Sequence, residues 1–144
     1  MYNKTTQTWL KTGAIIMMAF GVTGLTGLIP TLSGFATFLI DTIIWPIDGA
    51  QNLHGPETKL LLAIFSGLLL GWGLMIWQLA THLYPKDPGL TRTLILTSIS
   101  TWFVIDSAAS LYASAPLNAV FNLGFLALFF IPLWDKSKNE YDPA

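Results

Sequence analysis

TLILTSISTWFVIDSAASLYASAPLNAVFNLGFLALFFIPLW, residues 93–134, is a 42-residue run in which Asp106 is the only formally charged side chain. A run this long can hold two membrane spans of about 20 residues each. The turn-forming Ser114-Ala115-Pro116 near its middle is where it would fold back on itself. The reading of this stretch as an apolar hairpin decides the fold class for the whole chain.

Composition extends the same reading outward. Of 144 residues, 53% are hydrophobic and 10% charged, against roughly 25% charged in ordinary soluble domains. Two further uncharged stretches, 12–40 and 60–85, are long enough to cross a bilayer. We therefore expect an all-α integral membrane protein forming a single polytopic domain over residues 1–144, with four transmembrane helices near 9–28, 56–80, 91–112 and 116–134. Pro30 ends the first span, because proline lacks a backbone donor and disfavours helix in the residue before it. Pro56 suits a first helical position, and Glu57 complements the positive end of the helix dipole. The basic start MYNKTTQTWLK resembles that of a secretory signal, but the apolar run after it is longer than a signal core and Thr31-Leu32-Ser33 is a poor cleavage site. We expect this segment to be retained as the first span.

Charge gives the expected orientation. Lys4, Lys11, Lys86, Arg92, Lys136 and Lys138 fall on one side of a four-span chain and only Lys59 on the other, which under the positive-inside rule puts both termini in the cytoplasm. A bacterial cytoplasmic (inner) membrane is the expected location. The net charge of -1 supplies no basic patch for nucleic acid. The absence of cysteine excludes a disulfide scaffold, a thiolate zinc site and a cysteine nucleophile.

The segment between the first two spans, TLSGFATFLIDTIIWPIDGAQNLHG (31–55), is too apolar for a solvated loop, and its first part is too short to cross. It fits an additional short interfacial or re-entrant helix of about 11 residues that ends before Pro46. Thr37 and Asp41 would form a polar edge one helical turn apart. Turn signals at Asp48-Gly49 and Gly55-Pro56 then make an irregular connection carrying Trp45, Asp48 and His54.

In the hairpin, with the turn centred near Ser114, Asp106 lies eight residues before it and Asn122 eight after, while Ser110 and Asn118 lie four to either side. Antiparallel helices rise equally per residue, so Asp106 should be level with Asn122, and Ser110 with Asn118. Such a ladder has a structural reading that comes first: interhelical hydrogen bonds join membrane helices that no hydrophobic force drives together. It could instead form the polar floor of a ligand site, or part of a proton or ion path, since a carboxyl within the membrane is a functional candidate. A single acid without a second acid or base makes a poor relay.

The outer half should therefore carry a semi-polar pocket roofed by residues 31–55, with Asp41, Trp45, Asp48, His54, Trp102, Asp106, Ser110, Asn118 and Asn122 as candidate lining residues. A bound lipid, quinone or pigment would suit it, although no cofactor motif is present. Gly67 and Gly71 form a G-x-x-x-G on the second span, and Ala19, Thr23 and Gly27 a small-residue stripe on the first. Both are read first as packing of span one on span two, and otherwise as a face for self-association. Trp9 and Trp134, near span ends, fit an aromatic belt. Phe121, Phe125, Phe129 and Phe130 give the last span apolar faces that could meet a partner helix or a lipid-like ligand, with bulk lipid the simpler contact for any one of them.

Catalytic readings are weak. His54 has Asp48 and Glu57 nearby but no second histidine on its side, since His82 belongs to the opposite loop, and zinc sites need three or four clustered ligands. His82 reads as an interfacial residue rather than a haem ligand. No G-x-S-x-G elbow is present. The expected function is a small non-catalytic membrane protein, either an accessory subunit of a membrane complex, docking in the bilayer against other subunits, or a module that binds an apolar ligand. A small oligomeric transporter or channel using Asp106 is the alternative, and a membrane enzyme acting on lipid or quinone a remote third.

Overall fold

The computed structural model describes residues 2–134; Lys136 and Lys138 lie outside that range. The described residues form five α-helices and no strand: α1 (Lys4–Thr26), α2 (Gly34–Ile44), α3 (Pro56–Gln78), α4 (Pro88–Tyr112) and α5 (Pro116–Leu133). A π-helical turn, Leu79–Leu83, prolongs α3. Four of these elements, α1, α3 with its π-turn, α4 and α5, are long and apolar enough to cross a membrane. The fifth, α2, is 11 residues long and follows α1, matching the short extra helix expected between the first and second spans.

Local sequence explains the helix ends. Asn3 caps α1, its Oδ1 accepting from the amides of Thr5 (2.9 Å) and Thr6 (3.2 Å). This carries the helix back to Lys4, ahead of the start near Trp9 that apolarity alone marks. Asp87 does the same for α4 through the Leu90 amide at 2.8 Å. Pro56, Pro88 and Pro116 all occupy first-turn positions, where a missing N–H leaves no helical bond unmade.

The long helices alternate in direction and pack as two pairs, α1 with α3 and α4 with α5, while α2 lies against α5 and α1. The α1–α3 seam depends on glycine. A β-carbon added at Gly21 would stand 2.9 Å from the Ser66 carbonyl oxygen, and one at Gly73 would stand 2.9 Å from that of Ala14. Backbones can come this close only where side chains are missing.

Gly67 and Gly71 have nothing within 4 Å of an added β-carbon, and both are exposed. The reading of this pair as internal packing is therefore corrected. The G-x-x-x-G spacing falls on the outer side of α3, and Gly73, two residues past it, makes the seam. On α1 the corresponding positions are Gly21 and Gly24, with Gly27 against Leu62 and Ala36, whereas Ala19 is exposed.

The main core occupies the end of the bundle away from α2. Leu10, Met17, Ile76, Ile95, Ile99, Phe129 and Leu133 are almost wholly buried there around Tyr84. Burial pushes the Tyr84 phenol above its ordinary pKa, and hydrogen bonds with the Thr6 side chain and the Asn3 backbone act the other way. Side chains also tie neighbouring helices together at this end. Gln7 Nε2 donates to the Ala80 carbonyl (2.8 Å), Arg92 Nε to that of Leu133 (2.8 Å) and Trp9 Nε1 to that of Leu128 (2.9 Å). A second, small cluster of Ala36, Leu53 and Leu62 lies under α2.

Candidate functional site

The hairpin turn sets the geometry of the polar ladder. Helix α4 ends with Ser114 in the left-handed region at φ 59°. The Ala115 amide donates to the Ser110 carbonyl (2.9 Å) and the Ser114 amide to that of Leu111 (3.2 Å). These two bonds form a Schellman motif. With the register so fixed, Asn122 Nδ2 donates to Asp106 Oδ2 at 2.6 Å and Asn118 Nδ2 to Ser110 Oγ at 2.8 Å, which are the two level pairs that residue counting predicts. Two diagonal bonds complete the network, from Asn118 Nδ2 to Asp106 Oδ2 (3.0 Å) and from Asn122 Nδ2 to Ser107 Oγ (3.2 Å). Residue counting from the turn does not reveal the diagonal partners, and Ser107 is absent from the expected set.

Next to this network is a cavity of 480 Å³, walled by all five helices. Asp106, Asn118 and Asn122 form its main polar part, with Thr23 of α1 the other polar side chain in the lining. The remainder is apolar and strongly aromatic. Four lining rings make an edge-to-face chain from α3 through α4 and α5 to α1: Trp72 to Trp102 at 5.8 Å between centroids, Trp102 to Phe125 at 6.1 Å, and Phe125 to Phe20 at 5.1 Å. Phe65 and Phe121 line it as well.

Helix α2 contributes Ala36, Leu39, Ile40 and Ile43 to the wall. Thus the 31–55 segment does border the cavity, but through its apolar side. Asp41, Trp45, Asp48 and His54 do not line it. Asp41 is 4% exposed and turned toward the following loop, where its Oδ2 accepts from the Gly49 amide at 3.0 Å. Its Oδ1 is buried without a partner. Trp45 is exposed; so is Asp48, whose Oδ1 accepts from the Ala50 amide at 3.0 Å. His54 is exposed, its backbone amide bonded to Asn52 Oδ1 at 2.8 Å. Ser110 is buried in the ladder and does not reach the cavity wall. Of the nine candidate residues, then, Trp102, Asp106, Asn118 and Asn122 share one site.

No family model matches this chain, and no curated protein or solved structure is detectably similar to it. The site must therefore be read from its own chemistry. Among the described residues, no three His, Cys, Asp or Glu side chains come together as a metal site.

The wall residues missed by sequence reasoning are mainly those of the first and second spans. Trp72 carried a usable signal: it lies mid-span, away from the interfaces where tryptophan normally concentrates. Phe20 and Phe65 carried none, since phenylalanine facing lipid is ordinary. The α5 aromatics divide among different surroundings. Phe129 is wholly buried, Phe121 and Phe125 line the cavity, and Phe130 packs on Trp134 with centroids 5.7 Å apart.

Proposed function

We propose that this is a small non-catalytic membrane protein that holds an apolar, lipid-like molecule in the cavity between its helices. The observation that carries the reading is a 480 Å³ space with aromatic walls and one polar corner. Ligand sites have this character: an apolar lining gives affinity, and a few convergent polar groups fix orientation. The volume falls in the usual range of about 300–1,000 Å³.

The cavity lies toward one membrane face in this reading. Helix α2 is about 16 Å long at 1.5 Å per residue, too short for a hydrocarbon core of about 30 Å, and lies at the interface as a roof. Lys4, Lys11, Lys86 and Arg92 belong to the end away from α2, and Lys59 to the α2 end, so the positive-inside rule puts α2 on the outer face of a cytoplasmic membrane. Single cysteines at Gln51 and Asp87 test this orientation. They should label with an impermeant thiol reagent from opposite sides, and labelling from one side would overturn it.

The accessory-subunit reading rests on a different surface, the α3 face with Gly67 and Gly71. It is exposed, and the chain's own seams make no use of it. That face would meet another subunit or a second copy of the chain.

Native mass measurement from mild detergent tests ligand holding. A lipid-sized adduct is expected on the wild type and should be lost in Gly124→Leu, because Gly124 lines the cavity and an added β-carbon there meets nothing within 4 Å. A wild-type protein that carries no adduct and takes up no added lipid or quinone would end the binding reading.

A further inference from the structure

We propose that the cavity takes a lipophilic organic cation, an amine or quaternary ammonium group on an apolar body, with the charge at Asp106 and the body against the aromatic wall. This rests on the ligand-holding reading above and names the chemical class of the ligand. Among the described residues, Asp106 is the only ionisable side chain lining the cavity; no lysine, arginine or histidine shares the wall with it. A carboxylate in apolar surroundings is costly unless a positive partner compensates it. The described residues supply no such partner within the cavity, and a cationic guest would.

The hydrogen bonds around Asp106 point the same way. Both asparagine amide nitrogens are committed, to Asp106 Oδ2 and to the Ser107 and Ser110 hydroxyls. The oxygens left without a hydrogen bond are Asp106 Oδ1 and the two amide oxygens, and none of the three is sealed away. Three acceptors with no free amide donor beside them suit a guest that donates or carries positive charge, and they disfavour a carboxylate or phosphate.

The wall supplies the other half of the recognition. Trp102 stands one helical turn before Asp106 on α4, and its ring packs edge-to-face with Trp72 and Phe125. Tryptophan and phenylalanine faces attract cations within about 6 Å of the ring centroid, tryptophan most strongly. A neutral polycyclic guest would also stack on these rings, but it would leave the carboxylate uncompensated.

The test uses the full-length chain in nanodiscs of zwitterionic lipid, with empty nanodiscs as the background. Tetraphenylphosphonium is titrated against tryptophan fluorescence, alongside neutral triphenylphosphine oxide. Saturable quenching by the cation is expected, at least tenfold tighter than by the neutral compound. Asp106→Asn should remove that preference by weakening the cation tenfold or more while leaving the neutral compound unchanged. Trp102→Leu, which keeps Asp106 and its hydrogen bonds, should also weaken the cation more than the neutral compound, and it serves if Asp106→Asn does not fold. Equal binding of the two compounds, both blocked by Gly124→Leu, would overturn the cation proposal and leave the cavity reading standing. Binding of neither compound, with Gly124→Leu indistinguishable from wild type, would overturn both.

Discussion

At the end of the bundle that holds Tyr84, the side chains that tie helices together reach mainly backbone carbonyls; between α4 and α5 at the end under α2, they reach one another. Gln7, Arg92 and Trp9 each donate across a helix boundary to a main-chain oxygen. Asp106, Asn118, Asn122, Ser107 and Ser110 form a closed set of side-chain bonds between α4 and α5. Packing differs in parallel. The Tyr84 end is filled by almost wholly buried side chains, whereas the α2 end keeps a 480 Å³ cavity. A carbonyl left open at a helix end or opposite a proline needs a donor from elsewhere in an apolar medium, so the first arrangement closes the bundle. The second fixes two helices side by side and still leaves acceptor oxygens facing open space.

Added volume should break the comparison most sharply. Gly73→Leu drives a side chain into the Ala14–Met18 stretch of α1, where even a β-carbon would stand 2.6 Å from Met18 Cγ. We expect a loss of about 3 kcal/mol, at the upper end for overpacking, read as thermal unfolding in mild detergent. Gly124→Leu, facing open space at the other end, should leave stability unchanged or raise it by up to about 1 kcal/mol, since leucine is the better helix former. Equal damage from the two substitutions would mean that the cavity end is packed as tightly as the sealed end.

The ladder comes next in size. Asp106→Leu removes one of the two acceptors of each asparagine amide, leaving Asn118 with Ser110 and Asn122 with Ser107, and should cost about 2 kcal/mol, at roughly 0.6–2 kcal/mol per interhelical bond. Asp106→Asn keeps an acceptor in place and should cost about 1 kcal/mol or less. If the leucine variant unfolds no earlier than the asparagine variant, the network contributes nothing to joining α4 and α5.

What the sequence made legible follows the same division. The four long helices could be read from uncharged length, and the Asp106–Asn122 and Ser110–Asn118 pairs from equal distances to one turn, because both depend on helical rise alone. The short helix after α1 was legible from an apolar stretch too short to cross. The placing of Trp45, Asp48 and His54 around the pocket was not reliable, because an irregular connection has no period from which direction can be inferred, and that of Asp41 failed because spacing along α2 does not encode which side of the helix meets the cavity. Asp41 turned to the Gly49 amide instead. The glycine seam was misread for a related reason: G-x-x-x-G spacing marks a face of a helix, but which face meets α1 depends on helix rotation, which spacing does not encode. The bonds that close the Tyr84 end were illegible for lack of any local signature.

One of those bonds has a cause that can be isolated. Pro132 has no N–H to give the carbonyl four residues earlier, that of Leu128, and the Trp9 indole donates to that oxygen at 2.9 Å. Trp9→Phe should therefore cost about 1 kcal/mol, as one interhelical hydrogen bond. In a Pro132→Ala background, where α5 can supply its own donor, the same substitution should cost close to nothing. A double-mutant cycle on unfolding in detergent measures the difference. Additive effects would show that Trp9 packs at the helix end without replacing the missing amide.

The smallest expected effect lies in the turn that sets the ladder's register. Ser114 adopts φ 59°, a conformation that costs an L-residue with a β-carbon roughly 1–2 kcal/mol and costs glycine little. Glycine also gives the unfolded chain more freedom, which offsets part of that gain. Ser114→Gly should consequently raise stability by about 0.5 kcal/mol, and Ser114→Ile, with a branched β-carbon, should lower it by about 1 kcal/mol. Because the Ser114 and Ala115 amides close the motif that brings Asn118 level with Ser110, the isoleucine variant should also weaken the ladder. In that variant Asp106→Leu should cost less than in the wild type. If Ser114→Ile leaves the cost of Asp106→Leu unchanged, the register of α4 and α5 is held by their packed faces and the turn merely follows it.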